Sequence, residues 1–426
     1  MLSKKKSTCE EVQLRNFFQI KHGFAFKSKY FEEEGDFLVL TPGNFNEDGG
    51  LKFRESKEKY YSGNFKDEYL LKKGDLLVVM TDLKQDAPIL GSPAFIPESG
   101  KYLHNQRLGK IIDLQDDLDI VFLYYFFNST LFREQIKSTA TGATVKHTSP
   151  DRILDVKVKI PSLDIQKKIG QTLRSFDDLV EVNLRRIEVL EEVARCLYEE
   201  WFIHLRYPGH ENTETTQTPH GTIPKEWNYE PIGQVVDTLG GGTPSTKESS
   251  FWEDGNNNWY TPSDITSNNS IFITQSSRKI TEKGLKSSSS KRFPAYSLMM
   301  TSRATLGELA INTTEASTNQ GFITMIPTEQ LPVYYLYFWV KQNLELIMNL
   351  ASGATFKEIN KTTFRKIPIL VPGQSIIDQF NEIMKPIGAL LENLIRKNRV
   401  LKETRDLLLP KLISGEIDVS DIDIQL

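Results

Sequence analysis

The chain repeats one long phrase, and this internal duplication limits its fold more than any other feature of the sequence. The segment TGATVKHTSPDRILDVKVKIPS (141–162) is answered 211 residues later by SGATFKEINKTTFRKIPILVPG (352–373). Shorter matches precede it in the same order: Asn105-Gln106 with Asn319-Gln320, Met80-Thr81 with Met300-Thr301, and Thr41-Pro42 with Thr261-Pro262. The period is too long for a solenoid, so we expect two copies of a whole module.

Each copy has the pattern of a β-rich globular part followed by a long helix. Short apolar runs such as DFLVL, DLLVVMT and GFITMIP are bounded by Gly, Pro, Asn and Ser, which is typical of strands. From Asp164 and again from Ser375, apolar residues recur every three or four positions between charged flanks. This pattern predicts an α+β protein with two long helices that pack on each other. Pro386 is expected to kink or interrupt the second helix near its start.

The patterns set the predicted boundaries. The two β-rich domains occupy 1–161 and 227–372, and the helices occupy 162–206 and the first part of 373–426, which ends in a C-terminal tail. The segment 207–226 is rich in Pro, Gly and Thr, which predicts an exposed linker.

Composition places the chain among ordinary folded proteins. Apolar residues make up 39% of the 426 residues and charged residues 25%. No run approaches the roughly 18 apolar residues of a membrane span, and the first residues, MLSKKKSTCEEVQL, lack the apolar stretch of a signal peptide. These features predict a cytoplasmic protein without membrane contact. The net charge of −4 means that any binding of nucleic acid must depend on local patches.

Patterns of catalytic or metal-binding residues do not emerge. Two cysteines and six histidines show no ligand spacing, which predicts no metal site. No nucleophile elbow or His-Glu-x-x-His pair is present, so we predict no catalytic residues. The glycine-rich stretch LGGGTPSTK (239–247) lacks the frame of a phosphate loop. A turn that presents Thr243 and Ser245 at the surface explains it better than nucleotide binding.

One segment is strongly basic. RKITEKGLKSSSSKR (278–292) has six basic residues and one acid, with Arg278, Lys291 and Arg292 at its ends. Such a loop can neutralise DNA phosphates in a salt-sensitive, sequence-independent manner, although an ordinary solvated loop would have the same composition.

Several loops carry side chains suited to reading bases. Arg pairs with guanine edges and Asn or Gln with adenine edges in the major groove. The candidate base readers are Lys84, Gln85 and Arg107 in the first module, and Arg303, Thr243 and Ser245 in the second. Lys146 and Lys357, in the shared Gly-Ala-Thr-x-Lys motif, are expected nearer the phosphates. The Asn-Gln pair of each copy could equally be a structural turn.

The chain closely resembles the specificity subunit of a type I restriction-modification enzyme. The residues that carry the resemblance are GTIPKEW (221–227), LYEEWFIHLRYPG (197–209), RDLLLPKLISGEI (405–417) and the repeated Gly-Ala-Thr-x-Lys. The resemblance implies two tandem target-recognition domains, each reading one half of a bipartite DNA site, and two spacer helices that pair as an antiparallel coiled coil. The N-terminal module departs from the pattern because it lacks a Gly-x-Ile-Pro-x-x-Trp entry.

The resemblance also implies partners. They are double-stranded DNA, two methyltransferase subunits that methylate adenine N6, and two restriction subunits. S-adenosylmethionine, ATP and Mg are expected on those partners, and no cofactor on this chain. The motifs suggest partner contacts at Trp201, Phe202, Leu408 and Pro410. Two alternatives are a stand-alone DNA methyltransferase or nuclease with a diverged site, and a coiled-coil adaptor protein.

Overall fold

A computed structural model of the chain describes residues 11–53, 58–268, 270–353 and 357–420. These residues form two compact units. The first combines the chain up to Val180 with the segment from Leu401 onward, and the second is Glu181–Val400. Across the described ranges, no helix is both long and apolar enough to cross a membrane.

The first unit is built from short strands and a few helices. Its strands are β1 (Glu11–Gln13), β2 (Gln19–His22), β3 (Phe31–Glu32), β4 (Leu38–Leu40), β5 (Tyr60–Tyr61), β6 (Leu76–Val79), β7 (Thr81–Asp82), β8 (Pro93–Phe95), β9 (Tyr102–His104), β10 (Leu108–Ile112), β11 (Lys146–His147) and β12 (Lys157–Lys159). Its helices are α1 (Ile120–Asn128), α2 (Thr130–Thr139), α3 (Pro150–Leu154) and the beginning of α4 (Leu163–Tyr198). All four residues of β6 are buried, as expected for a continuous aliphatic run at the centre of a sheet.

The second unit has the same kinds of element. Its strands are β13 (Thr215–Thr218), β14 (Gly221–Pro224), β15 (Asn228–Pro231), β16 (Asp237–Leu239), β17 (Asn257–Tyr260), β18 (Phe272–Ile273), β19 (Arg278–Ile280), β20 (Leu298–Thr301), β21 (Leu309–Asn312), β22 (Ala316–Thr318), β23 (Phe322–Ile326) and β24 (Pro368–Val371). Its helices are α5 (Ile232–Val235), α6 (Pro262–Thr266), α7 (Glu282–Lys286), α8 (Val333–Gln342), α9 (Leu344–Leu350), α10 (Lys361–Phe364) and most of α11 (Gln374–Ile413). A π-helical turn, Glu199–Ile203, extends α4.

The sheets confirm the predicted duplication. The main sheet of the first unit has the order β2-β10-β6-β8, and that of the second has β16-β23-β20-β21 with β18 added at the edge. A parallel pair occurs in both, β4 with β9 and β17 with β22. An antiparallel pair, β1 with β12 or β15 with β24, joins the two ends of each globular part. Thr41 and Thr261 each form a capping box at the equivalent turn.

One of the predicted sequence matches is wrong by two residues. The Met80 N–H donates to the carbonyl of Arg107, and the Ser302 N–H donates to the carbonyl of Gly321. The Met80 carbonyl accepts the Thr148 N–H, and the Ser302 carbonyl accepts the Ile359 N–H. Met80 is therefore equivalent to Ser302 rather than to Met300.

The long helices pair antiparallel within the second unit. Asn183, early in this part of α4, bonds to Asn398 late in α11, whereas Trp201 after α4 lies against Phe380 near the start of α11. Helix α11 is continuous through Pro386, so the predicted interruption is absent. Pro386 is exposed, which leaves the carbonyl that lost its donor free to face water. The predicted antiparallel coiled coil is confirmed.

The end of the chain belongs to the first unit. Leu409, Leu412 and Ile413 of α11 are buried in the same core as Ile169 and Leu173 of α4. These residues fall in the C-terminal RDLLLPKLISGEI motif, whose apolar positions therefore complete a core.

The predicted linker contains a hairpin. Strands β13 and β14 pair antiparallel between Thr215 and Pro224. Ile223, at the end of this hairpin, is buried in the core of the second unit together with Tyr207 and Trp227.

Candidate nucleic-acid interface

The residues that flank the Gly-Ala-Thr motif are paired in the same way in both units, as the two ends of a hairpin. Two backbone hydrogen bonds of 2.9 Å join Thr141 and His147, and bonds of 3.0 and 2.8 Å join Ser352 and Glu358. Glycine is required because φ is +99° at Gly142 and +113° at its counterpart, in the left-handed region. The second copy's Ala354 and Thr355 lie outside the described residues.

The lysine of each motif ends the hairpin loop. Lys146 is half-buried and Lys357 is exposed. Thr144, at the first hairpin's tip, is exposed as well. The first hairpin thus presents a hydroxyl and an ammonium group near the surface, and the second presents the ammonium group of Lys357, as contacts to phosphate require.

The first hairpin is attached to the strand that carries Lys84 and Gln85. Lys146 in β11 is the pairing partner of Asp82 in β7. The buried Asp82 carboxylate accepts the backbone N–H groups of Lys84 at 2.9 Å and of Ile89 at 2.7 Å. Lys84 and Gln85 are exposed on the loop that these bonds hold, and Lys84 lies 3.7 Å from Glu47.

A buried arginine holds the other side of this loop. Arg133 donates to the carbonyls of Leu90, Pro88 and Ile89 at 2.7, 3.2 and 3.3 Å, and to that of Glu47 at 2.5 Å. Burial lowers the pKa of Arg133 to about 10, so the guanidinium stays charged at neutral pH. The Lys84-Gln85 loop is therefore fixed before it meets a ligand.

The Asn-Gln pairs occupy equivalent turns, and their two residues have different roles. The Asn105 side chain accepts the Arg107 N–H at 3.0 Å, and the Asn319 side chain accepts the Gly321 N–H at 2.8 Å. Asparagine is thus a turn residue in both copies. The following glutamines, Gln106 and Gln320, are exposed and are candidate readers. The sequence alone left the Asn-Gln pairs open between base reading and a structural turn, and the glutamines were not among its chosen readers.

Arg107 is bonded to the segment that leads into the Lys84-Gln85 loop. Its side chain is exposed, and its carbonyl accepts the N–H of Met80 at the start of that loop's strand. The first unit therefore brings the predicted residues Lys84, Gln85, Arg107 and Lys146 onto connected segments.

A buried histidine precedes the first turn. His104 donates through Nε2 to the Leu108 carbonyl at 2.8 Å, and its own carbonyl accepts from Phe24. Its Nδ1 has no hydrogen-bond partner among the described residues. Burial lowers the pKa of His104 to about 4, so the ring is neutral at physiological pH.

In the second unit, two tryptophans hold the glycine-rich loop. The Trp259 indole N–H donates to the Gly242 carbonyl at 2.9 Å, and the Trp252 indole N–H donates to the Ser245 carbonyl at 3.0 Å. Thr243 and Ser245 are exposed between these anchors, as the sequence predicted. A Cβ at Gly241 would lie 2.1 Å from the Asn319 carbonyl oxygen, so the loop packs directly on the Asn-Gln turn.

The basic residues of the second unit differ in their surroundings. The Arg278 guanidinium stacks on the Trp252 ring, 3.6 Å from its centroid. Arg292 pairs with Glu282 and lies 3.9 Å from Glu315. Lys291 is exposed, and across the described part of the chain it makes no ion pair.

Arg303 is half-buried on a segment that is bonded to both the Gly-Ala-Thr hairpin and the Asn-Gln turn of this unit. Its backbone forms a bridge with Glu358 of the Gly-Ala-Thr hairpin. The carbonyl of the preceding Ser302 accepts the Ile359 N–H after the hairpin, and the Ser302 N–H donates to the Gly321 carbonyl. Arg303 and Lys357 therefore lie on connected segments, as do Thr243, Ser245 and Lys291 around the glycine-rich loop.

The predicted partner-binding residues occupy two kinds of position. Trp201 and Phe202 are 7% and 4% exposed and pack on Phe380 in the second-unit core. Leu408 is half-buried against the first-unit core, and Pro410 lines a cavity of about 350 Å³ beside Arg405. Their contribution to partner binding stays a prediction.

The paired helices keep a further apolar surface exposed. On α4 the second-unit residues Val182, Val189 and Val193 are 46%, 62% and 48% exposed, at spacings of seven and four. On α11 Ile383 and Leu390, seven apart, are also exposed. These spacings are typical of a second helix-packing stripe.

Metal-binding groups of three or more His, Cys, Asp or Glu are absent from the described residues.

Comparisons with known proteins find relatives for both modules of the chain. The family model described as type I restriction modification DNA specificity domain matches 6–192 and 224–405, one stretch in each module. The specificity subunit of the type I restriction enzyme MjaIX of Methanocaldococcus jannaschii is 33% identical over 193 residues, which cover 45% of this chain and 44% of that protein. The HindI specificity subunit of Haemophilus influenzae is 25% identical over 359 residues, which cover 70% of this chain and 77% of that protein.

A solved structure has the same fold. The crystal structure of the type I restriction-modification S subunit of M. genitalium superposes with a TM-score of 0.59 at 15% identity. The match covers 96% of this chain and 98% of that one.

Proposed function

Because the chain belongs to the family of type I restriction-modification DNA specificity proteins, we propose that it reads a bipartite, asymmetric DNA site, with one half read by each unit. The observation that carries this proposal is a shared frame with different side chains. Each unit has the Gly-Ala-Thr hairpin and the Asn-Gln turn, but the loop beside the turn presents Ala25 in the first and Thr243 in the second. Two related but non-identical surfaces suit two different half-sites.

Within each proposed reader, residues divide by chemistry. Lys146, Lys357 and Lys291 present ammonium groups and would contact phosphates, which give affinity without sequence information. Lys84, Gln85, Arg107, Arg303, Thr243 and Ser245 would approach base edges. Arg278 would reach DNA from its stack on Trp252, whereas Arg292, held by Glu282, would lie near DNA without neutralising a phosphate.

The chain would act without catalytic residues of its own. Adenine N6 methylation and ATP-dependent cleavage would be carried by two methyltransferase and two restriction subunits, which would bind S-adenosylmethionine, ATP and Mg. The exposed stripe of Val182, Val189 and Val193 supports docking of methyltransferase helices, since such a stripe is stabilised when another helix covers it. Leu408 and Pro410 of the first unit would contribute a separate contact.

Adenine methylation mapped across the host genome, with and without this gene, tests the proposal. We expect one bipartite methylated motif to disappear when the gene is deleted. Replacement of residues 1–163 by the corresponding part of another specificity subunit should change only one half of that motif. A change in both halves would contradict one-unit, one-half reading.

A binding measurement separates this function from that of an adaptor protein. The complex of this chain with its methyltransferase subunits should be retained on DNA at ~50 mM salt and much less at ~200 mM, because phosphate contacts release counterions. An adaptor would show no salt-dependent retention.

A further inference from the structure

The side chains of Thr243 and Gln320 form an exposed pair that has no counterpart in the first unit. Thr243 Oγ1 donates to Gln320 Oε1 at 2.7 Å, although the two residues are 77 positions apart. The Phe24 N–H donates to the carbonyl of His104, the last residue of β9, and the Gly242 N–H donates to the carbonyl of Thr318, the last residue of β22. Because these two bonds are equivalent, Ala25, which follows Phe24, corresponds to Thr243, which follows Gly242. Alanine has no hydroxyl, so it cannot orient Gln106 in this way.

The backbone beneath both members of the pair is fixed. The Trp259 indole N–H holds the Gly242 carbonyl next to Thr243. The Asn319 side chain closes the turn that carries Gln320 by accepting the Gly321 N–H. A side chain that is oriented before binding loses less conformational entropy when it meets its ligand.

The chemistry of the pair matches one base. The Gln320 Oε1 atom has two lone pairs, of which Thr243 uses one. The Nε2 group makes no hydrogen bond within the described ranges, and both of its N–H groups can donate. Adenine presents an N6 donor and an N7 acceptor in the major groove, which an amide satisfies with two parallel bonds. Guanine presents two acceptors there, and one of them would oppose Oε1.

We propose that Gln320 reads an adenine in the half-site of the second unit, and that Thr243 is the residue that positions its amide. This inference rests on the proposed function and names the base and the side chain that recognises it. The first unit, with Ala25, reads its half-site without such an oriented amide.

Methylation mapping of chromosomal variants, with the native partner subunits present, tests the inference. Gln320→Ala should relax one A·T position in a single half of the motif, with a loss of discrimination of about 5- to 150-fold, the range for a lost bidentate base contact. Thr243→Ala should relax the same position less, and Thr243→Ser, which keeps the hydroxyl, should preserve the motif.

A matched control lies in the same unit. Gln217 is exposed and donates to the Thr222 hydroxyl at 2.7 Å in the β13–β14 hairpin, which carries none of the proposed interface residues. Gln217→Ala should leave both halves of the motif unchanged.

The outcomes distinguish this inference from the function on which it rests. An unchanged motif in Gln320→Ala, with loss of the motif on gene deletion, would overturn the inference and leave the function intact. Methylation unaffected by gene deletion would overturn the function. If Gln320→Ala abolishes methylation, the purified complex is tested on DNA randomised in that half-site. Loss of the adenine preference supports base reading, and equally weakened binding to all sequences would overturn it.

Discussion

Asn183 Nδ2 donates a hydrogen bond of 2.8 Å to Asn398 Oδ1 across the antiparallel helices of the second unit. Both side chains are buried, 8% and 7% exposed, in a seam that is otherwise apolar. A polar pair at such a position favours one register of the two helices, because any shift would bury both amides without partners.

Replacement of one member of this pair should lower the free energy of unfolding more than replacement of both. Asn183→Leu leaves the Asn398 amide buried without its donor, at a cost of about 1–3 kcal/mol in the free energy of unfolding. Asn183→Leu with Asn398→Leu should recover much of that loss. Thermal unfolding of the two single variants and the double variant measures the coupling, expected at about 0.5–3 kcal/mol. Strictly additive changes would mean that the bond contributes nothing to stability.

Arg405 should be important for the stability of the first unit. Its side chain is 11% exposed and donates to Asp177 at 2.5 Å, and Tyr125 donates to the other oxygen of that carboxylate at 2.6 Å. Arg405→Ala leaves a largely buried carboxylate without its cation, and we expect the free energy of unfolding to fall by about 3 kcal/mol.

The Arg185–Glu181 pair on α4 is the control for this change. Its side chains are 74% and 54% exposed, so water and salt screen the pair. Arg185→Ala should lower the free energy of unfolding by less than about 1 kcal/mol. Equal effects of the two substitutions, in chemical denaturation, would contradict a special role for Arg405.

Alanine in place of Gly142 in the first Gly-Ala-Thr hairpin should weaken DNA binding. At Gly142, φ is +99° and an added Cβ would lie 1.9 Å from the Val145 carbonyl oxygen, so the hairpin must open. Gly74→Ala is the matched control, because φ there is +86° but a Cβ would meet no atom within 4 Å. Both should lose about 1 kcal/mol of stability or more. Only Gly142→Ala should lower the affinity of the complex for its DNA site.

The salt dependence of DNA binding should distinguish Lys291 from Arg292. If Lys291 contacts a phosphate, Lys291→Ala should reduce the slope of log affinity against log salt concentration by about 0.9. Arg292→Ala should leave the slope close to that of the unchanged chain, because its guanidinium is held by Glu282. Titrations of the complex at several salt concentrations measure both slopes, and a larger effect at Arg292 would reverse the assignment.

His104 should make the first unit sensitive to mild acid. Its pKa is about 4 in the folded chain and ordinarily about 6.5, so the unfolded chain binds a proton that the folded chain does not. The free energy of unfolding that depends on the neutral His104 ring is fully present above pH ~6.5. It falls as the pH decreases and levels off near pH 4, with a total loss of up to about 3 kcal/mol. His104→Gln should remove the decline between pH ~6.5 and ~5 in unfolding measurements. A decline of the same size in that variant would assign the proton to another group.

The sequence predicted the duplication and the helices because these depend on local patterns. Glycine must recur wherever the same left-handed turn recurs, as at Gly142 and Gly353, and apolar spacing follows the period of a helix. The match of Met80 to Met300 was wrong because two identical residues in the sequence do not determine which backbone groups are paired in a sheet. Hydrogen bonds align Met80 with Ser302 instead.

The local environments of the site residues could not be read from the sequence. Arg278 lies on Trp252 and Arg292 beside Glu282, and both contacts depend on how β19 and α7 pack. Gln320 acquires its orientation from a residue far away in the chain. Proline rules predicted a break at Pro386, but packing of the apolar face of α11 outweighs the roughly 3 kcal/mol that an interior proline costs.

The position of Leu409, Leu412 and Ile413 in the first-unit core has a consequence for biosynthesis. The second unit is a continuous stretch, Glu181–Val400, and can complete its core as soon as that stretch leaves the ribosome. The first unit begins earlier in the chain but lacks part of its core until Ile413 has been synthesised and released. The module translated first is therefore the one that finishes folding last, and a stop codon shortly before Leu409 would damage the N-terminal half of the protein more than the C-terminal half.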